Sequence, residues 1–355
     1  MEPLRAGIIG CGRSRASGMA TGAGISHRHA QAYNASPDVR LVALADIVLE
    51  NAQAFQEIHG GDRLYTDFHE MLAKERLDIV SVCVWPHLHA PISIDCAKAR
   101  VPAIHCEKPM APTFGEAKAM VAVADEYGVQ LTINHQRRFG SPFRKAKELL
   151  DSGAIGELVR YEASCSNMYD WGTHWFDMGF FYLDQTPVEW VMAQVDPREG
   201  RKHFGVFMEG QGICQYGFAN GVTGLLVTGR NTRWGAENRL IGSSGVIEVG
   251  VSPEVPLRYR TDTSGWQVVP VEDGIHDDSH FTRAIQDAAE ALRDKREPEL
   301  AARKALMTAE VIFATYESSR RRGRVELPLD VDDNPLWSMV QDPDTGGVYK
   351  GLEIA

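Results

Sequence analysis

Ala103-Ile104-His105-Cys106-Glu107-Lys108-Pro109 is the stretch that decides the fold. Its first four residues are typical of a short buried strand, and Pro109 ends that strand because proline cannot donate to a sheet ladder. Lys108 is therefore expected at the carboxyl edge of a sheet, next to the carboxylate of Glu107. Ligands bind at this edge in open α/β sheets. Taken alone, Glu107 and Lys108 are better explained as a surface ion pair, and only the surrounding segments favour a site.

The composition is that of an ordinary globular chain of about two domains. Its 355 residues are 44% hydrophobic and 24% charged, which is enough apolar material for a large core. The net charge of -11 argues against a nucleic-acid partner, since binding phosphates requires an excess of Lys and Arg. We assign the basic run Ser319–Arg324 to the end of a helix, where cations suit the helix dipole.

Cysteine usage and the N-terminus predict a cytoplasmic protein without a membrane partner. None of the six cysteines forms a Cys-x-x-Cys pair, so neither a zinc site nor a redox motif is expected. The chain starts directly with a strand-like segment instead of a signal peptide, and no apolar run is long enough to span a bilayer. His87 and His89 share neither a strand face nor a helix face, so we predict a loop, capping or groove-lining role for them and no metal.

A glycine turn follows the first strand. The apolar run Leu4–Ile9 leads into Gly10-Cys11-Gly12, which suits either a plain turn or the approach of a backbone to a pyrophosphate. Arg15 occupies the position where a third small residue normally follows. The segment Arg13–Ala23 reads as an insertion, and its two glycines and two serines disfavour a helix. We predict that it forms a loop over the cofactor phosphates or the mouth of the cleft.

Asp46 ends the second predicted strand, Val39–Ala45. An acid at this position can accept hydrogen bonds from an adenosine ribose and repels a 2′-phosphate, which favours NAD over NADP. The alternative is a plain capping role for the helix near Glu50.

Strands and helices then alternate, which predicts a parallel sheet with helices on both faces. We therefore expect an α/β Rossmann domain at residues 1–133. The helix at 113–126 opens with Thr113 and Glu116 as a capping box. The other segments predicted for this domain are helices at 24–33, 51–58, 68–74 and 89–99 and strands at 79–84, 103–107 and 130–133.

Residues 134–329 change in character and predict an α+β domain with a large, mostly antiparallel sheet. A helix at Phe143–Asp151 precedes a series of strand-like runs separated by turn residues. We expect the helix at about 300–321 to pack back on the first domain, and 330–355 to form a C-terminal extension. The predicted strands are 158–163, 189–195, 204–209, 212–218, 221–229 and 245–249.

The run Asp170-Trp171-Gly172-Thr173-His174-Trp175-Phe176-Asp177 carries three titratable groups. On a helix, Asp170, His174 and Asp177 would share one face. Each has a plain alternative: Asp170 as an N-cap, Asp177 as a group that orients a neighbour, and His174 as a satisfied core histidine. Together with Lys108 they favour a catalytic site.

With these motifs the chain resembles the Gfo/Idh/MocA oxidoreductases, the family of glucose–fructose oxidoreductase and inositol dehydrogenase. The resemblance covers nearly the whole chain. Two features depart from it: the insertion that follows Gly12, and Arg100, which stands where the family usually has glycine. It implies that Lys108 and His174 are catalytic, with Asp170 as their partner. The expected cofactor contacts are Gly10, Gly12, Arg13, Asp46, Pro86, His89, Glu107 and Lys108.

Hydride transfer between nicotinamide and a carbinol carbon requires a group that takes or gives the hydroxyl proton. An imidazole such as that of His174 suits this at neutral pH, and Lys108 can polarise the same oxygen. Which of the two is the base stays open. The expected substrate contacts are Asp170, His174, Arg138, His135, Tyr169 and Trp171, because aromatic and hydrogen-bonding side chains suit a sugar.

We therefore expect an NAD-dependent dehydrogenase that acts on a sugar, a cyclitol or a sugar derivative, with its active site where the two domains meet. It is expected to be a homodimer or homotetramer assembled through the sheet of the second domain. An NAD-dependent glycoside hydrolase that oxidises its substrate transiently has overlapping sequence requirements. A third hypothesis is that the protein is a non-enzymatic regulator that senses a dinucleotide.

Overall fold

The computed structural model describes residues 2–12, 24–230 and 235–341. The chain forms two compact units. Unit 1 comprises Met1–Pro112, Glu116–Gln136 and Asp278–Leu306, and unit 2 comprises Thr113–Gly115, Arg137–Asp277 and Met307–Ala355. Apart from the short segment Thr113–Gly115, the chain first passes from unit 1 to unit 2 after Gln136. No helix in the described ranges is long and apolar enough to cross a membrane.

Unit 1 contains a parallel sheet of six strands in the order β3-β2-β1-β4-β5-β6, the order of a Rossmann fold. Its strands are short apolar runs, and β4 and β5 are buried along their whole length, as expected when helices cover both faces. The strands are β1 (Leu4–Ile9), β2 (Val39–Ala45), β3 (Arg63–Tyr65), β4 (Ile79–Val82), β5 (Ala103–Cys106) and β6 (Gln130–Ile133).

Unit 2 contains a nine-stranded sheet in the order β16-β15-β14-β13-β7-β12-β11-β8-β17, together with a separate β9–β10 hairpin. All its neighbours are antiparallel except β7 and β12. The strands are β7 (Leu158–Cys165), β8 (Val188–Asp196), β9 (Arg201–His203), β10 (Val206–Met208), β11 (Gln211–Phe218), β12 (Thr223–Thr228), β13 (Asn238–Gly242), β14 (Gly245–Ser252), β15 (Val255–Thr261), β16 (Gln267–Val268) and β17 (Val325–Glu326).

Ten helices are present in the described ranges. Short 3₁₀ turns at Pro86–Leu88 and Gln136–Phe139 accompany them. The helices are α1 (Ser26–Asn34), α2 (Leu49–His59), α3 (Phe68–Lys74), α4 (His89–Lys98), α5 (Phe114–Tyr127), α6 (Ser141–Asp151), α7 (Gly172–Tyr182), α8 (Ser279–Asp294), α9 (Ala302–Arg321) and α10 (Pro335–Gln341).

Two helices of the second half of the chain contribute to unit 1. Ile285 and Ala288 of α8 are fully buried in the core that Tyr33 of α1 and Ile8 of β1 also fill. The start of α9 also belongs to unit 1, which extends through Leu306, and from Met307 onward α9 belongs to unit 2. The expectation that the 300–321 helix packs on the first domain stays a prediction.

The expected strand at 204–209 is instead the second half of a hairpin. Phe204 and Gly205 both have positive φ and turn the chain between β9 and β10. This geometry suits glycine but is uncommon for phenylalanine, which is why the sequence did not suggest a turn there.

Candidate functional site

The carboxyl ends of five parallel strands in unit 1 are level with one another. Ile9 at the end of β1 pairs with Ala45 of β2 and Val82 of β4, and Cys106 of β5 pairs with Val82 and with Ile133 of β6. The residues that follow each strand therefore form one row along the sheet edge. In sheet order that row is Asp46, Gly10, Cys83, Glu107 and Asn134.

The glycine turn holds β1 against its neighbours. Gly10 has φ +88°, and a Cβ atom there would lie 2.7 Å from the carbonyl oxygen of Cys83. Its N–H donates to the carbonyl of Ala45 at 2.8 Å. Gly12 also has positive φ, at 55°. Side chains are excluded from Gly10, so the turn stays tight at the point where the order of the strands reverses.

The carboxylate of Asp46 accepts hydrogen bonds from the backbone on both sides. Its Oδ2 accepts a hydrogen bond from the Gly12 N–H at 3.0 Å. Its Oδ1 accepts from the N–H of Val48 at 2.9 Å, at the start of α2. The side chain of the next residue, Ile47, is 91% exposed. The carboxylate is thus held between the glycine turn and the residue that precedes α2, and both of its expected roles stay predictions. Arg13 and the predicted loop at 13–23 lie outside the described residues.

Glu107 is a buried carboxylate with several donors. Its Oε1 lies 2.8 Å from His29 Nε2 and accepts from Asn134 Nδ2 at 2.7 Å, and its Oε2 accepts from the Lys108 N–H at 3.2 Å. Burial alone would raise its pKa, but the hydrogen bond and charge of His29, followed by Asn134 and Lys108, lower the pKa to about 2. Glu107 is therefore ionised at neutral pH.

Lys108 follows Glu107 directly, is half-buried, and is joined to Pro109 by a cis peptide bond. His89 at the start of α4 supports this segment. Its Nδ1 lies 2.7 Å from the carbonyl oxygen of Pro109 and its Nε2 lies 3.1 Å from that of Val84. Burial lowers the pKa of His89. Pro86 is buried at the start of a 3₁₀ turn. Both ring nitrogens of His89 thus face backbone carbonyls. The expected contacts of Pro86 and His89 with a cofactor stay predictions.

In unit 2, Asp170 lies in a turn before α7, so it does not share a helical face with His174 and Asp177 as expected. The helix begins at Gly172, and Asn167 Oδ1 accepts from the N–H of Asp170 at 2.6 Å and of Trp171 at 3.3 Å. Asn167 competes for these backbone donors and ends any helix on the N-terminal side. Asp170 and His174 are nevertheless four residues apart and both nearly buried.

Asp177 forms a buried ion pair with Arg138. Arg138 Nε donates to Asp177 Oδ2 at 2.8 Å and Nη2 donates to Oδ1 at 2.7 Å, and both side chains are almost fully buried. This bidentate contact anchors α7 to the segment before α6. Arg138 therefore has a positioning role in unit 2, and its expected contact with a substrate stays a prediction.

Trp171 is the most exposed of the expected substrate residues, at 37%. The indole meets the His276 ring edge-on, with ring centroids 5.8 Å apart. On the hairpin, His203 Nε2 lies 4.0 Å from Asp170 Oδ2. Tyr169 in unit 2 and His135 in unit 1 are both buried. Sequence reasoning missed His203 and His276, which are far from the Asp170–Asp177 run along the chain.

Glu209 is a second residue that the sequence did not single out. This buried carboxyl accepts hydrogen bonds from the Met168 N–H at 2.5 Å and from the Tyr316 hydroxyl at 2.7 Å. Burial raises its pKa. Glu209 therefore fixes the turn that carries Tyr169 and Asp170.

The described part of unit 1 fits a dinucleotide. Glycines with positive φ, an acid after β2 and an exposed apolar side chain beside that acid lie along one edge. That edge includes the strand-order reversal between β1 and β4, where dinucleotides bind in doubly wound sheets.

Comparison with known proteins agrees with this geometry. The family model described as "Oxidoreductase family, NAD-binding Rossmann fold" matches residues 4–135. Myo-inositol 2-dehydrogenase of Thermotoga maritima is 26% identical over 265 residues, which cover 69% of this chain and 74% of that protein. D-glucoside 3-dehydrogenase of Escherichia coli is 25% identical over 358 residues, which cover 92% of this chain and 98% of that protein.

A solved structure shares the fold over most of the chain. It is an oxidoreductase from Agrobacterium radiobacter in complex with NAD+, L-tartaric acid and magnesium, 20% identical, with a TM-score of 0.77 over 91% of this chain and 98% of its own. The sheet order of unit 1, the level row of strand ends and these matches lead to one conclusion: residues 4–135 form the NAD-binding Rossmann domain of the Gfo/Idh/MocA oxidoreductases, and the full chain is similar in sequence to inositol and glucoside dehydrogenases.

Proposed function

We propose that this protein is an NAD-dependent dehydrogenase that oxidises or reduces a hydroxyl-bearing carbon of a sugar, a cyclitol or a derivative of these. The observation that carries the proposal is the row in unit 1 that places Asp46, Gly10 and Glu107, with Lys108 next to it, along one sheet edge. The names of the relatives support the substrate class, since those proteins act on inositol and on a glucoside.

NAD is preferred to NADP in this proposal because Asp46 carries a negative charge at the end of β2. One carboxylate oxygen accepts from the Gly12 N–H and the other accepts from the Val48 N–H, so the group is fixed in place. A fixed carboxylate can accept hydrogen bonds from a ribose diol and repels a 2′-phosphate. Gly10, Gly12, Asp46 and Glu107 would line the cofactor site.

Bound nicotinamide would supply the hydride acceptor or donor. The residues of this chain handle the proton and the charge: His174 takes or gives the hydroxyl proton, and Lys108 donates a hydrogen bond to the same oxygen. Asp170 orients His174 or holds a second hydroxyl. The half-exposed indole of Trp171 offers an apolar face on which a sugar ring can pack, which supports a carbohydrate as the substrate.

We further propose that a second copy of this chain covers one face of the unit 2 sheet. In the described residues, Glu162 of β7, Arg239 of β13 and Glu248 of β14 are paired across the strands and form an ion-pair row on that face. The same face carries Met192 and Ile213, which are 50% and 51% exposed. A charged row beside exposed apolar side chains suits a self-complementary interface.

Light scattering tests the oligomer. We expect Ile213→Glu to reduce the measured mass, whereas Val159→Glu, on an exposed residue that shares the opposite face with Tyr161, should leave it unchanged. A monomeric wild-type protein would contradict the proposal.

The proposed activity is tested by an NAD-reduction screen across sugars, inositols and sugar acids, with glycosides assayed in parallel. We expect NADH formation with at least one free polyol or sugar, and a loss of that activity in Lys108→Ala but not in Lys98→Ala, which alters an exposed lysine of α4. Release of an aglycone without net NADH would instead identify a glycoside hydrolase. Cofactor binding without any turnover would indicate a regulator.

A further inference from the structure

A chain of buried polar side chains lies directly behind Glu107 in unit 1. The Tyr33 hydroxyl lies 2.6 Å from Ser81 Oγ, which lies 2.9 Å from His29 Nδ1, and His29 Nε2 lies 2.8 Å from Glu107 Oε1. Tyr33, Ser81 and His29 are all at most 1% exposed. Buried polar groups are costly unless they are satisfied, so a chain of this length in a sheet core calls for a function.

The partner of His29 Nε2 fixes the direction of that hydrogen bond. An ionised Glu107 can only accept, so His29 must donate from Nε2. On the other side of the ring, the Ser81 and Tyr33 hydroxyls complete the chain, since each hydroxyl can both donate and accept. Asn134 Nδ2 supplies a second donor to the same oxygen of Glu107. The carboxylate is therefore held by two buried donors that come from distant parts of the chain.

The chain is suited to holding charge in place and not to carrying protons. Its far end, Tyr33, is 1% exposed and packs in the core with α8, and burial raises the pKa of its hydroxyl. A proton relay needs an end that exchanges with solvent or substrate. Only the Glu107 end reaches the strand-end row, where Lys108 is the next residue.

We propose that His29 is a positioning residue for the dehydrogenase reaction: it holds Glu107 as a fixed carboxylate beside Lys108. This rests on the proposed function, in which Lys108 donates to the reacting oxygen. The Lys108 N–H bond to Glu107 Oε2 sets the direction of the backbone from which the Lys108 side chain extends.

The test compares His29→Leu, which removes the donor, with His29→Gln, whose amide can donate from about the position of Nε2. We expect His29→Leu to lower kcat by about 10- to 100-fold, the usual effect of losing a hydrogen bond to a charged group, with the KM for NAD changed less than about threefold. His29→Gln should restore kcat to within about threefold of wild type. Tyr33→Phe, the matched control at the far end of the chain, should lower the melting temperature without lowering kcat.

Nitrogen NMR of histidine-labelled protein supplies a readout that does not depend on turnover. The His29 signal is identified by its absence in His29→Gln, and we expect Nε2 to carry a proton at pH 7. A ring protonated at Nδ1 alone would overturn the proposal even if His29→Leu fails to fold. Wild-type kcat in His29→Leu, or equal losses of kcat in His29→Leu and Tyr33→Phe, would also overturn it. Failure of the proposed function is distinguishable, because the wild-type protein would then show no NAD reduction.

Discussion

The backbone N–H of Gly12 donates to the side chain of Asp46 at 3.0 Å, which ties the turn after β1 to the acid after β2. The two residues are 34 positions apart in the sequence, and the parallel pairing of β1 with β2 brings them together. The position of the carboxylate is thus set by the same turn that would face a pyrophosphate. In the proposed function, cofactor choice and phosphate binding are therefore coupled through one hydrogen bond.

This coupling predicts the effect of Asp46→Ser on cofactor preference. Removing the charge should reduce the ratio of kcat/KM for NAD to that for NADP by about 10- to 100-fold, because hydrogen bonds to a charged group and repulsion of the 2′-phosphate are lost together. Steady-state kinetics with both cofactors measures this ratio. Asp62→Ser, on an exposed acid paired with Arg40, is the control and should leave the ratio unchanged. Better use of NADP than NAD by the wild-type protein would contradict the assignment of Asp46.

His174→Ala should lower kcat by about 10²- to 10⁴-fold, the usual contribution of a positioned acid or base. Cofactor affinity, measured by fluorescence titration with NADH, should stay near that of wild type, because His174 lies in unit 2 and the dinucleotide site is assigned to unit 1. His69→Ala, on an exposed histidine paired with Asp95, serves as the control. Turnover close to wild type in His174→Ala would remove this residue from the mechanism.

The buried pair of Arg138 and Asp177 predicts an asymmetric effect on stability. Arg138→Leu leaves the Asp177 carboxylate buried without its main partner and should cost about 3–5 kcal/mol in the free energy of unfolding. The double variant Arg138→Leu/Asp177→Leu should recover most of this loss. Chemical denaturation measures both. Lys145→Ala, which breaks an exposed pair with Glu148, should cost less than about 1 kcal/mol. Equal losses in the single and double variants would argue against an electrostatic origin.

Acid should destabilise unit 1 through Glu107. The folded pKa of about 2 lies below the ordinary value of 4.5, so the ionised group stabilises the folded state above pH 4.5, and this contribution is lost as the pH falls from 4.5 to 2. The expected loss is on the order of 3 kcal/mol. His105, whose pKa burial lowers to about 3, adds a loss that begins near pH 6.5. The free energy of unfolding of wild type should fall toward that of Glu107→Gln between pH 4.5 and 2; parallel pH profiles of the two proteins would contradict this.

The sequence predicted most of unit 1 because its signals are local. Short apolar runs that end at Gly10, Asp46 and Pro109 mark the ends of parallel strands, and such ends meet at one edge whatever the details of packing. The short strand β3 was missed, because its three residues carry no clear alternation.

Unit 2 was less predictable because its neighbours are distant in sequence. The strands β13 and β15 contain Arg239, Arg258 and Arg260, so they lack the apolar pattern that identifies a strand. These arginine side chains lie on the sheet face that carries the ion-pair row. The reason for their presence in strands becomes clear only when the strands are seen paired.

The candidate site was predicted in its residues but not in their contacts. The Glu-Lys-Pro motif indicated Glu107 and Lys108, yet His29 lies 78 positions away from Glu107 and has no pattern that links the two. In the same way the helical spacing that united Asp170 with His174 did not reveal Asn167, which binds the backbone N–H of Asp170 in the turn before α7.

The stoichiometry of cofactor reduction tests the central claim most directly. With the best substrate from the screen, reduced nicotinamide is followed by absorbance while the oxidised product is quantified by mass spectrometry. We expect NADH and the keto or lactone product to form in equal amounts, at a rate that falls in both Lys108→Ala and His174→Ala. Consumption of substrate without net NADH, or product formation that does not depend on added NAD, would contradict the assignment as a sugar or cyclitol dehydrogenase.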